Sequence, residues 1–226
     1  MDMKKIVILG ICLLSAGCAT QMQNDPMKNS DQQYSQGSPE RLFKLGNQYA
    51  KGVGYPRDYK QAAEYYHGAA VQGYAKAQYA LGYMYRTGHG VPRDYNLAAQ
   101  WFERAADQGN SDAQYSLGVR YLLGQGTAQD YGRALDWFQK AAAQGNAYAE
   151  NQLGFMYAAG KSVPQDYTTS IQWYQKAADH GLASAEYNLG LMYQNGVGTA
   201  PDKEKAKQLF QLAAQHGFDP AQKALE

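Results

Sequence analysis

Residues 74–109 read Tyr-Ala-Lys-Ala-Gln-Tyr-Ala-Leu-Gly-Tyr-Met-Tyr-Arg-Thr-Gly-His-Gly-Val-Pro-Arg-Asp-Tyr-Asn-Leu-Ala-Ala-Gln-Trp-Phe-Glu-Arg-Ala-Ala-Asp-Gln-Gly. Ala77, Leu81 and Tyr85 stand four apart and share one face of a helix, the A helix. Gly88-His89-Gly90-Val91-Pro92 breaks it, because glycine and proline both disfavour helix continuation. Asp94 then stands where a side-chain oxygen can accept an otherwise unpartnered amide of a second, B helix. Along that helix Ala98, Trp101, Phe102, Ala105 and Ala106 form an apolar stripe, and Gly109 suits its end.

The same unit recurs in both directions at a step of 36 residues without insertion. Leu45, Leu81, Leu117, Leu153 and Leu189 form one series, and Tyr49, Tyr85, Tyr121, Tyr157 and Tyr193 another. Asp58, Asp94, Asp130, Asp166 and Asp202 keep the step, as do Gly46, Gly82, Gly118, Gly154 and Gly190. A mid-helix glycine costs about 1 kcal/mol relative to alanine. Its recurrence predicts a close helix approach, with a Tyr or Trp of the neighbouring helix over the missing side chain. One helix pair cannot bury its stripes alone, so the units must stack into an all-α solenoid of five helix-turn-helix repeats.

The three runs A-x-A-Q-Y-x-L-G-x-x-Y, G-x-G-V-P-x-D-Y and A-x-x-W-F-x-x-A-A-x-x-G resemble Sel-one-like repeats, relatives of tetratricopeptide repeats. The resemblance covers residues 38–217, as repeats 38–73, 74–109, 110–145, 146–181 and 182–217. It implies a right-handed superhelix with the A helices on the concave side. Repeat 1 departs with Leu42, Phe43 and Tyr65; repeat 4 has Lys161-Ser162 where others have a residue and Gly. Repeat 5 has Lys203 and Leu209 in place of Tyr and Trp. Residues 218–226 restart the A-helix pattern, with Ala221 and Leu225 in register with Ala77 and Leu81, and predict a short capping helix.

Ahead of the repeats, Lys4 and Lys5 precede the apolar run Ile6 to Leu14, then Ser15-Ala16-Gly17 and Cys18. This run reads as a secretory signal, 1–17, too short for a stable span. Met3 would open it as well as Met1. The small residues before Cys18 resemble a bacterial lipobox, although Ser15 stands where leucine is most common. The resemblance implies that Cys18 carries lipid, and Ala19 rather than aspartate after it implies the outer membrane, facing the periplasm. Residues 18–37 are polar and aperiodic and read as a tether.

The whole chain has 226 residues, 21 Lys+Arg and 20 Asp+Glu. Removing residues 1–17 takes away Lys4, Lys5 and Asp2 and leaves 19 basic and 19 acidic side chains. Such balance argues against nucleic acid as a partner. With Cys12 in the signal and Cys18 acylated, no cysteine pair remains to oxidise.

No catalytic constellation stands outside the repeat pattern. His180 and His216 occupy the place of Gln72, Gln108 and Gln144, and His67 and His89 have no companion at metal-ligand spacing. The recurrent aspartates read as caps. Neither a metal nor a cofactor is expected. Cysteine-rich relatives linked to β-lactams make a cell-wall or β-lactam-interacting hydrolase-like protein the alternative, yet Ser-x-x-Lys and Lys-Thr-Gly are absent.

A repeat protein is free to vary residues that face a partner. The most varied A-helix positions are those of residues 76, 80, 83 and 87, one stripe opposite Ala77, Leu81 and Tyr85. From that stripe Lys76, Tyr83, Asp112, Ser116, Val119, Tyr148, Gln152, Phe155, Asn188 and Leu191 are the candidate partner-binding residues. Tyr83, Val119, Phe155 and Leu191 would form its apolar track, unless they pack into the core instead. Gln100, Asp136 and Gln172 mark the opposite, B-helix surface. The expected function is a non-catalytic scaffold for a protein or peptide partner.

Overall fold

The computed structural model describes residues 37–225; the signal, Cys18 and the tether up to residue 36 lie outside them. The described residues form eleven helices and no strand. The A helices are α1 (Pro39–Lys51), α3 (Ala75–Thr87), α5 (Ser111–Leu123), α7 (Ala147–Ala159) and α9 (Ala183–Asn195). They alternate with the B helices α2 (Tyr59–Val71), α4 (Tyr95–Asp107), α6 (Tyr131–Ala142), α8 (Tyr167–Asp179) and α10 (Lys203–Gln215), and α11 (Asp219–Lys223) closes the array. Each helix packs chiefly on its neighbours in the chain, the arrangement of an α-solenoid.

The repeated aspartates start the B helices. Asp94 Oδ1 accepts from the amides of Asn96 and Leu97 at 2.8 and 3.0 Å. Asp58, Asp130, Asp166 and Asp202 cap α2, α6, α8 and α10 in the same way. Every A helix ends on a left-handed glycine; at Gly88, φ is 78° and its amide returns to the Met84 carbonyl. That turn needs positive φ, which only glycine adopts without a steric cost.

The mid-helix glycines do mark close approach; the ring over each is that of the residue after the Trp position, a Tyr in repeats 1 and 4 and a Phe, not a Trp, in repeats 2, 3 and 5. A Cβ on Gly118 would stand 2.6 Å from Phe138 Cε1, and one on Gly82 would stand 2.8 Å from Phe102 Cδ1. Tyr66, Tyr174 and Phe210 fill the same place against Gly46, Gly154 and Gly190. Trp101 instead packs edge-on to His67 of the preceding B helix, ring centroids 5.9 Å apart.

Buried apolar contacts run from Leu42 in α1 to Met156 in α7 and resume at Tyr174 in α8. Near that junction Ser170 stands where Ala62, Ala98, Ala134 and Ala206 do. It is fully buried, and its hydroxyl donates to the Gly154 carbonyl at 2.7 Å, so the polar group is not left unmatched. At the far end Ala221 is buried, but Leu225 is exposed, outside α11 rather than in the core register expected of it. Five residues are too few for the helix to carry Leu225 round onto that face.

A candidate partner groove on the A-helix face

Helices of equal length stacked side by side leave a furrow between neighbouring A helices. Across α1, α3 and the start of α5 it opens into a groove of about 520 Å³. Phe43, Tyr66, Tyr79 and Tyr83 supply aromatic walls, Ala50, Ala80 and Met84 the floor, and Lys76, His89, Asn110 and Asp112 polar groups. Rings meet in series: Phe43 lies 5.5 Å from Tyr66 and 5.4 Å from Tyr74 by centroid, and Tyr79 lies 5.7 Å from Phe102. Burial raises the Tyr79 phenol above its usual range, with Asp112 adding to the effect.

The groove gathers Lys76, Tyr83 and Asp112 of the residues expected from sequence. Tyr83 is 43% exposed, with the Arg86 guanidinium 4.6 Å from its ring centroid. Asp112 accepts from Asn146 Nδ2 at 3.1 Å. Further along the face, Tyr148 is 57% and Phe155 43% exposed, and the Tyr148 ring stands 5.6 Å from that of Tyr115. Ser116 and Gln152 are half-buried, and Asn188 donates to Asn151 Oδ1 of the preceding A helix at 3.1 Å. Val119 and Leu191 are half-buried and packed against the core. The apolar track is therefore two displayed aromatics alternating with two packing residues.

Sequence reasoning passed over Arg120. Its place in the repeat is that of Gln48, Met84, Met156 and Met192, facing inward, and it is only 5% exposed. Nη1 donates to Gln125 Oε1 at 2.7 Å, the Tyr95 ring lies 5.7 Å from Cζ, and Nε has no hydrogen-bond partner. Burial, then the nearby charge of Arg86, lowers its affinity for the proton. A charged residue in an otherwise Met or Gln series was the available signal.

On the other side, Asp136 and Gln172 are exposed as expected, whereas Gln100 is half-buried. Gln100 Oε1 is buried without a partner beside a cavity of about 390 Å³ between α4, α5 and the following loop. No group of three or more His, Cys, Asp or Glu among the described residues is arranged to hold a metal, and no described helix is long and apolar enough to cross a membrane.

A Sel1 repeat protein from Oxalobacter formigenes is 37% identical over 83% of this chain and 77% of its own, with a TM-score of 0.79. The protective antigen c5321 of uropathogenic Escherichia coli, described as displaying an SLR fold, is 39% identical with a TM-score of 0.76. It is matched over 87% of this chain, which spans only 41% of that protein. Immunity protein PA5088 of Pseudomonas aeruginosa, 24% identical over 81% of this chain and 67% of its own at a TM-score of 0.55, shares the fold. No curated protein matches. The model of the Sel1 repeat matches residues 42–74, 75–110, 111–146, 147–182 and 183–218. Proteins built from these repeats are generally non-catalytic scaffolds for protein–protein interaction, and with five contiguous matches this chain belongs to the Sel1 repeat family.

Proposed function

We propose that this chain is a non-catalytic scaffold of the bacterial envelope, held to the outer membrane by lipid on Cys18 and facing the periplasm. It captures a polypeptide partner along the concave, A-helix face. The observation that carries the reading is the display of Tyr83, Tyr148 and Phe155 on that face, each more than two-fifths exposed. Large aromatics left in water beside a groove are what an interface uses as anchors, because they bury much area at little cost in side-chain entropy. Two acyl chains would hold the protein firmly to a bilayer, where one binds only marginally.

Cross-linking in intact cells followed by mass spectrometry tests partner and location together. A reproducible periplasmic protein cross-linked to A-helix residues is expected; cross-links confined to B helices would overturn the assigned face. Labelling with a radioactive fatty acid should mark the wild type and not Cys18→Ser. Absence of label in both would leave the scaffold without its anchor.

A further inference from the structure

The cavity of about 390 Å³ between α4, α5 and the loop after α5 shares no lining residue with the groove of repeats 1 and 2. The repeat series accounts for it. The 36-residue step carries Ala99 to Leu135 and Ile171, both packed against the core. It carries Glu103 back to His67, which is buried against Trp101. The junctions of repeats 1–2, 3–4 and 4–5 thus each have a bulky side chain at one of these two positions. The junction of repeats 2–3 has an alanine at one and an exposed carboxylate at the other, and is left hollow.

Ala99, Leu117 and Tyr121 give the cavity an apolar wall, and Gln100, Glu103 and Thr127 bring oxygen atoms to it. Gln100 Oε1 and Thr127 Oγ1, from two different elements, both lack a hydrogen-bond partner. Each side chain is only half-buried and turns about its own torsions, so that both oxygens can meet an occupant. No Lys or Arg lines the cavity. Arg133, whose charge reaches Glu103, is held by Asp130 at 3.7 Å and donates to the Tyr121 hydroxyl at 3.2 Å. Burial, and then Asp107, raises the Glu103 carboxyl above its usual range, the mark of a carboxylate short of a cation.

Three oxygens approached from two elements match the three N–H donors of a primary ammonium, whereas a guanidinium needs its acceptors near one plane. A four-carbon stem behind the ammonium can lie along the apolar wall. We propose that this cavity is a binding site for a primary alkylammonium group, with Glu103 balancing the charge and Gln100 and Thr127 completing its hydrogen bonds. A lysine side chain of a polypeptide and a free aliphatic amine share that chemistry. The site stands whether or not the A-helix face holds a partner.

Titration calorimetry on the full chain compares Nα-acetyl-lysine methylamide and cadaverine with Nα-acetyl-norleucine methylamide, which keeps the stem and lacks the charge. Each variant borrows the residue of another repeat and is expected to fold: Glu103→Gln from Gln139 and Gln175, Thr127→Val from Val91 and Val163, Ala99→Leu from Leu135. Expected are binding of the amines, at least about tenfold weaker binding of the norleucine derivative, and a similar loss in Glu103→Gln. Thr127→Val should weaken binding less, and Ala99→Leu should abolish it by filling the cavity, without lowering the melting temperature. Tighter binding of the lysine derivative assigns a polypeptide source, and tighter binding of cadaverine a free amine. Equal binding of the norleucine derivative would make the cavity an apolar site and overturn the proposal. Amine binding untouched by Glu103→Gln and Ala99→Leu, or no amine binding at all, would overturn it too. Should Ala99→Leu fail to fold by circular dichroism, Glu103→Gln, a change at an exposed residue, decides the matter.

Discussion

The imidazole of His216 stands 3.0 Å from both carboxylate oxygens of Glu186, whose side chain is fully buried. His180 and Glu150 repeat the contact at 2.9 Å. In repeats 2 and 3 the same two positions are amides: Gln108 donates to Gln78 at 2.7 Å and Gln144 to Gln114 at 2.8 Å. One geometric slot, which ties the end of the B helix to its own A helix in repeats 2 to 5, is therefore filled by two chemistries.

That equivalence predicts which substitutions the slot tolerates. His216→Ala leaves a buried carboxylate without its partner and should cost about 2 kcal/mol, less than a fully enclosed pair because the imidazole is partly exposed. Glu186→Gln with His216→Gln rebuilds the amide pair and should stay within about 1 kcal/mol of wild type. Urea unfolding of the single and double variants decides it; a single variant as stable as wild type would show that the contact contributes nothing.

Gly118 supplies a reversal of the usual rule. In an exposed helix Gly→Ala stabilises by about 1 kcal/mol. Here the new methyl would meet the ring edge of Phe138, which is itself fully buried and cannot retreat. Gly118→Ala should therefore destabilise, and Gly118→Leu more so, by about 1–3 kcal/mol or several degrees of melting temperature. Unchanged melting of the leucine variant would contradict the tight contact.

The period of 36 made the helices, their caps and the glycine approach legible, because each rests on residues repeated in every unit. What it hid were departures at positions that the repeat otherwise keeps apolar. Arg120 lies three residues after Leu117 on the inward face, where helical phase calls for an apolar side chain, and its burial with an unpartnered Nε emerges only from the structure. Val119 and Leu191 show the converse: they vary among repeats like surface residues, yet lean on the next helices and pack. The ring over the glycine is a Tyr, as expected, at Gly46 and Gly154, but a Phe and never a Trp at Gly82, Gly118 and Gly190. Trp101 and Phe102 are adjacent on a helix, and about 100° of rotation sends one to the preceding B helix and the other to the A helix.

Ser162 is the one described residue other than glycine with positive φ, 57°, and stands where Gly54, Gly90, Gly126 and Gly198 do. A side chain in that region costs about 1–2 kcal/mol. Ser162→Gly should raise stability by about 1 kcal/mol, seen as a higher urea midpoint. The converse, Gly126→Ser, should cost more than it regains, because its Cβ would strike the Tyr95 carbonyl as well as strain the turn. Equal effects of the two changes would mean that strain alone, and not the collision, sets the difference.

Alkali should probe the aromatic packing. Burial pushes the phenols of Tyr66 and Tyr174 up to about 12 from an ordinary value of 10.0. With the folded value above the unfolded one, the stabilisation these rings carry is complete below pH 10 and is lost as pH rises from 10 towards 12. Tyr66→Phe with Tyr174→Phe should flatten the fall in melting temperature over that interval; an unaltered slope would assign the fall to other groups.

The displayed and packed halves of the aromatic stripe give the decisive functional comparison. Tyr83 and Phe155 lie two repeats apart on α3 and α7, both 43% exposed, whereas Val119 and Leu191 lie at the alternate repeats and pack against core residues. Removing the exposed pair, Tyr83→Ala with Phe155→Ala, should lower partner capture steeply, since an aromatic anchor can contribute about 2 kcal/mol or more to an interface. Its helical signal and melting should change little. Val119→Ala and Leu191→Ala should instead lower stability by about 1 kcal/mol each through lost packing. Asp136→Ala and Gln172→Ala on the B-helix side are the controls, within about 0.5 kcal/mol in both measurements; Gln100 is unsuited to that purpose because its amide is partly buried. Capture by cross-linking and circular dichroism on the same variants separates the alternatives. If the exposed pair unfolds the protein, the stripe belongs to the core. If it folds and captures as before while a B-helix change abolishes capture, the partner occupies the opposite face.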